Sequence, residues 1–84
     1  MSDARILVVD DEQSMQEFLE IFLRREGFDV TTVGDVDSAV IAVEADDFDL
    51  VITDIQMPGR TGLDLLREIK QRSPETLVLM ITAF

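Results

Sequence analysis

The chain contains neither cysteine nor histidine. Without cysteine there are no disulfides and no thiolate metal sites; without histidine, imidazole is lost to metal binding and to proton transfer. Zinc chemistry of the usual kind, His-based acid–base catalysis and a phosphohistidine in this chain are all excluded. Basic residues are scarce: Lys and Arg total 7 against 18 Asp and Glu, a net charge of -11. Nucleic-acid binding needs a basic footprint, so no direct nucleic-acid contact is expected. Long apolar runs are missing too. The longest falls far short of the roughly 20 residues that span a bilayer, and no signal-peptide pattern leads the chain. A soluble, cytoplasmic domain with no membrane segment is expected. The first apolar run is not followed by a glycine-rich turn, which argues against P-loop and dinucleotide-binding enzymes.

What remains is a small α/β pattern. Eighty-four residues, 46% of them hydrophobic, make one domain near the lower size limit for an unstapled core. Arg5 to Val9 reads as a buried strand. Ser14-Met15-Gln16-Glu17 fits a capping box, and Met15, Phe18, Leu19, Phe22 and Leu23 follow at helical spacing, with Gly27 as the stop. Phe28 to Val33 partly alternates, as an edge strand would. Val36, Ala39, Val40 and Val43 mark a second helix, and Asp49 to Thr53 a second buried strand. Thr61 caps a third helix carrying Leu65, Leu66 and Ile69, ended by Ser73-Pro74. Leu77 to Thr82 is a last strand, apolar on both faces. Phe18, Phe22, Met15 and Met80 are expected in the core.

Alternating strands and helices imply a doubly wound parallel sheet with right-handed crossovers. The mixed second strand belongs at an edge and the apolar first and third inside, giving the order 2-1-3-4. Two acidic sites then meet. Ile6-Leu7-Val8-Val9 runs into Asp10-Asp11-Glu12, and Leu50-Val51-Ile52-Thr53 runs into Asp54. On neighbouring parallel strands, Asp10, Asp11 and Asp54 converge at the C-terminal edge, where open α/β sheets place ligands. Carboxylates so gathered repel one another unless a cation joins them, and a hard all-oxygen set suits Mg2+. Acidic residues most simply form a solvated surface, so Asp10-Asp11 alone would decide little.

Three motifs together decide more. Val9-Asp10-Asp11-Glu12, Asp54-Ile55-Gln56-Met57-Pro58-Gly59 with Gly62, and Ile81-Thr82-Ala83 resemble the receiver domain of two-component response regulators. The ending Ile81-Thr82-Ala83-Phe84 also resembles receivers of the NtrC type, which precede an ATPase module and a DNA-binding domain. The resemblance implies a flavodoxin-like (CheY-like) fold and a phosphoacceptor, not an enzyme in its own right. It makes Asp54 the acceptor of a phosphoryl group from a sensor histidine kinase. It also implies that Asp10, Asp11, Asp54 and the backbone carbonyl of Gln56 hold Mg2+, and that the Thr82 hydroxyl bonds the phosphoryl oxygens.

A receiver has a fifth strand ending in a lysine, and two further helices. These are absent from residues 1–84, whose only lysine, Lys70, lies in the third helix pattern. The expectation is a truncated receiver, impaired in phosphotransfer, whose exposed fourth-strand edge favours a homodimer. Phosphatases of the haloacid dehalogenase type need Asp-x-Asp, which neither acidic site supplies. The alternative is a non-signalling interaction or assembly module derived from a receiver.

Overall fold

A computed structural model describes residues 4–81. Among the described residues seven elements alternate: β1 (Arg5–Val9), α1 (Gln13–Arg25), β2 (Asp29–Val33), α2 (Val36–Ala45), β3 (Leu50–Asp54), α3 (Gly62–Arg72) and β4 (Leu77–Ile81). The strands form one fully parallel sheet in the order β2-β1-β3-β4, as the apolar content of each strand predicts.

Alternation along each strand divides the apolar residues between two faces. Leu7, Val9 and Val51 meet Val36 and Ala39 of α2 and Leu65 and Ile69 of α3 on one face, together with Phe48 and Met57. Ile6, Val8, Val30 and Ile52 form the opposite face under Leu19 and Leu23 of α1. Each central strand therefore feeds two cores, which is why β1 and β3 are nearly continuous hydrophobic runs.

The helix ends are made locally. After α1, Gly27 has φ +95, its N–H donates to the Arg24 carbonyl (3.0 Å), and the Phe28 N–H reaches Leu23 (3.1 Å). This is the six-to-one and five-to-two pattern of a Schellman stop, and Phe28 and Leu23 pack on the same core. Asp35 caps α2, its Oδ1 accepting from the Ser38 N–H at 2.7 Å. Thr61 and Asp64 form a reciprocal capping box on α3, as Thr61 was expected to do.

Two expectations need correction. Ser14 does not cap α1; the helix starts at Gln13 with Glu12 at the cap position and no side-chain cap bond. The turn before it is closed by Asp10, whose Oδ1 accepts from the Glu12 N–H at 2.9 Å. Phe18 and Phe22 are not core residues either. They are 61% and 51% exposed, their rings stacked with centroids 6.3 Å apart. The apolar stripe of α1 is wider than its contact with the sheet. Its 15/19/23 row is half-buried, while Phe18, Ile21 and Phe22 remain outside. Met80 is half-buried.

β4 is the edge opposite β2. Register pairs Leu77 with Leu50 and Leu79 with Ile52, placing both on the α1 face, yet they are 67% and 51% exposed. Val78 points to the other face and packs on the α2–α3 core.

Candidate metal centre

Strand register builds this site. Val9 pairs with Thr53 across β1 and β3, so the residues that follow them, Asp10 and Asp54, emerge side by side. Asp11 is next along the chain. One carboxylate oxygen from each of Asp10, Asp11 and Asp54 lies within 4.8 Å of the others. The convergence expected from the sequence is what the fold produces.

The three differ in surroundings. Asp10 is only 4% exposed, Asp54 is half-buried and Asp11 faces solvent. Asp10 is held at every polar group of its residue. Its N–H donates to the Val33 carbonyl (3.1 Å), its carbonyl accepts from Gln16 Nε2 (2.6 Å), and its carboxylate accepts from Glu12 N–H (2.9 Å). Burial pushes its carboxyl above the ordinary aspartate range. The Glu12 N–H opposes that rise, and the neighbouring carboxylates of Asp54 and then Asp11 add to it.

Asp54 closes β3, and its Oδ1 accepts from the Gln56 N–H at 3.2 Å. Thr53 Oγ1 donates to the Asp54 carbonyl at 3.0 Å. The loop beyond is anchored by Met57, which is buried in the α2–α3 core, and turned by Gly59 at φ +82. Gly62 then brings the start of α3 directly onto the strand end. Its N–H donates to Ile55 at 3.0 Å, and a Cβ at this position would collide with the Asp54 carbonyl oxygen and crowd Ile55 Cα. Only glycine allows that approach.

Gln56 thus sits beside the cluster through its main chain, with its side chain exposed. Thr82 lies outside the described residues, which end at Ile81, whose carbonyl accepts from the Ile55 N–H. Lys70 is far from the cluster by topology: its Nζ donates to the carbonyls of Thr76 (2.8 Å) and Pro74 (3.3 Å), before the start of β4. The acidic cluster is at the opposite, C-terminal end of the parallel strands. Gln16 and the close approach at Gly62 are tertiary features that helix and turn patterns do not reveal.

The donor set fits Mg2+. Octahedral ligands about 2.0–2.1 Å from the ion stand about 3 Å apart in cis and about 4.2 Å in trans, so oxygens within 4.8 Å need only a small closure. The mixture of a buried, a half-buried and an exposed carboxylate leaves room for water on the open side, which Mg2+ retains.

Comparison with known proteins agrees with this geometry. The family model described as "Response regulator receiver domain" matches residues 6–84. The response regulator protein PilR of Pseudomonas aeruginosa is 43% identical over 84 residues, all of this chain and 19% of PilR. The DNA-binding response regulator MtrA of Mycobacterium tuberculosis is 43% identical over 76 residues, 90% of this chain and 33% of MtrA. The chain therefore spans a third or less of these relatives. Among solved structures, response regulator TrrA of Thermotoga maritima in complex with Mg2+–BeF superposes with a TM-score of 0.91 at 37% identity, covering 96% of this chain and 70% of TrrA. NtrX of Brucella abortus, in keeping with the NtrC-type resemblance, gives 0.91 at 41%, covering 96% of this chain and 19% of NtrX. A parallel 2-1-3-4 sheet with three aspartates gathered at its C-terminal edge, and a family match along nearly the whole sequence, place this chain in the response regulator receiver family.

Proposed function

We propose that this chain is the phosphoacceptor module of a two-component signalling protein, with Asp54 as the residue that becomes phosphorylated. The observation that carries the proposal is the position of Asp54: it shares its site with two other carboxylates and is half-buried, with one oxygen already fixed by the Gln56 N–H. An oxygen of Asp54 attacks phosphorus, the bond from phosphorus to the donor's histidine nitrogen breaks, and the electron pair leaves with that nitrogen. A carboxylate approaching an anionic phosphoryl group must have charge neutralised around it. Asp10, Asp11, Asp54 and the Gln56 carbonyl would hold Mg2+, which supplies that neutralisation when bound. Asp10 supplies a fixed carboxylate and Asp11 an accessible one. Thr82 would donate its hydroxyl to a phosphoryl oxygen.

The donor is a sensor histidine kinase. TrrA has been crystallised with the histidine kinase ThkA, and this chain superposes on TrrA in that complex with a TM-score of 0.89. Regulation of transcription in the cytoplasm is the proposed output, on the strength of relatives named DNA-binding response regulators. Among the described residues no helix is long and apolar enough to cross a membrane.

The lysine of this sequence, Lys70, is tied to the far end of the sheet, so it is not the partner of a phosphoryl group on Asp54. A second reading, an assembly module, is favoured by one observation: Leu77 and Leu79 are exposed along the β4 edge. Pairing of two β4 edges across a two-fold axis would join two sheets antiparallel and cover these leucines. Leu79→Lys would then dissociate the homodimer in light scattering; a monomeric parent at tens of micromolar refutes that pairing.

Transfer from an autophosphorylated sensor kinase, with Mg2+ or with EDTA, separates the two readings. Phosphoacceptor function predicts transfer that needs Mg2+ and Asp54 once a fifth strand and its lysine follow this sequence. Transfer undiminished in EDTA, or equal in Asp54→Asn, refutes it.

A further inference from the structure

Gln16 is a non-acidic side chain that reaches the main chain of the cluster from α1, and the receiver reading gives it no task. It lies in the second turn of α1, half-buried. Its Nε2 donates to the main-chain oxygen of Asp10 at 2.6 Å, a short bond for an amide donor. That oxygen belongs to the peptide unit joining Asp10 to Asp11. Peptide units are planar, so fixing the oxygen fixes the whole plane, including the N–H and Cα of Asp11.

This matters because Asp11 has little else to hold it. Among the described residues its carboxylate accepts no hydrogen bond, and the side chain is exposed. Asp10 is anchored by Val33 and Glu12 as well, and Asp54 by Gln56. The Asp11 carboxylate nevertheless lies within 4.8 Å of both others, against their repulsion. Its direction therefore depends on the backbone that carries it.

We infer that Gln16 is a positioning residue for the metal centre, orienting the Asp10–Asp11 peptide so that Asp11 faces the cation. The inference rests on the proposed Mg2+ site. Partners that orient metal ligands commonly contribute ten- to a hundred-fold in affinity. Gln16 acts on the ligand's backbone rather than on the ligand atom, so about tenfold, the lower end, is the expected contribution.

The test compares the parent with Gln16→Met, which keeps the stem and removes the donor, and Gln16→Lys, which keeps a donor of similar reach. Mg2+ affinity is measured by calorimetry, and the Asp10 carbonyl and Asp11 amide resonances are recorded without metal. In Gln16→Met the two resonances move and Mg2+ binds about tenfold more weakly, while Gln16→Lys retains most of the affinity. Unmoved resonances, Mg2+ affinity within about twofold of the parent (roughly 0.4 kcal/mol), or equal losses in both variants overturn the assignment. Should Gln16→Met not fold, the lysine variant decides: a tenfold loss with the donor retained counts against it. A parent that binds no Mg2+ at all defeats the phosphoacceptor reading, a result distinct from any failure of the Gln16 variants.

Discussion

Replacing Asp10 with asparagine will stabilise the metal-free domain. Asp10 is a buried carboxylate whose neighbours are two more carboxylates within 4.8 Å. At that separation a pair of unit charges repels by about 3.5 kcal/mol at an effective dielectric near 20, and by about 0.9 kcal/mol in bulk water. Asp11 is exposed and Asp54 half-buried, so screening brings the sum of both pairs to roughly 1–3 kcal/mol. Asparagine retains the Oδ1 acceptor used by Glu12 N–H, so no local bond is lost. Each kcal/mol gained raises the melting temperature of a domain this size by about 4–8 °C. The sign follows from the direction of the pKa. The folded protein holds the Asp10 carboxyl above its unfolded value, so the charged form burdens the fold at neutral pH. Protonation relieves that burden as the pH falls. The advantage of Asp10→Asn should therefore be full above the folded pKa, shrink through it, and vanish below the unfolded value of about 3.9. Urea unfolding in EDTA at several pH values reads this directly. Mg2+ should cancel or reverse the difference, because ligand at 100 times its Kd stabilises the parent by about 2.7 kcal/mol while the variant has lost a ligand. An Asp10→Asn protein that is less stable than the parent in EDTA at neutral pH refutes the reasoning. So does an equal gain from Mg2+ in both proteins.

Other perturbations give separate checks. Gly62→Ala should cost about 1–3 kcal/mol in urea unfolding, because its methyl meets the Asp54 carbonyl and Ile55 Cα, and amide resonances around Asp54 should move with it. Thr61→Ala should lose about 0.5–2 kcal/mol with the capping bond to the Asp64 N–H. Asp64 is held below the ordinary aspartate range by the Thr61 N–H, so its contribution to capping should persist at neutral pH and disappear as pH falls through that lowered value. Phe22→Ala should cost well under the roughly 3–5 kcal/mol of a core phenylalanine, whereas Leu65→Ala should cost about 2–5 kcal/mol, since Phe22 is exposed and Leu65 fully buried. Thermal or urea unfolding ranks the two.

The parts of this structure that sequence reveals are those governed by local pattern. Continuous apolar runs at Ile6–Val9 and Leu50–Thr53 identify the two central strands, and the mixed Asp29–Val33 identifies an edge, so the 2-1-3-4 order follows. Strand ends in equivalent register then put Asp10 beside Asp54. Thr61 is legible because capping depends on residues three apart. The start of α1 is not: Ser14 has the right chemistry for a cap, but the Asp10 turn to Glu12 N–H sets the entry two residues earlier. Phe18 and Phe22 share helical spacing with Leu19 and Leu23, and periodicity alone cannot tell which row meets the sheet. Gln16 carries no pattern at all. Its bond to Asp10 exists only because α1 folds back across the end of β1.

Phosphorylation at Asp54 is tested most directly by intact-mass spectrometry with peptide mapping after exposure to acetyl phosphate. The protein to use is a receiver in which this sequence is followed by a fifth strand and its lysine, alongside its Asp54→Ala variant. The prediction is a mass increase of one phosphoryl group that requires Mg2+, is removed by hydroxylamine, maps to the peptide containing Asp54, and is absent from the variant. A phosphoryl group that persists in Asp54→Ala, or that forms equally well in EDTA, would contradict it.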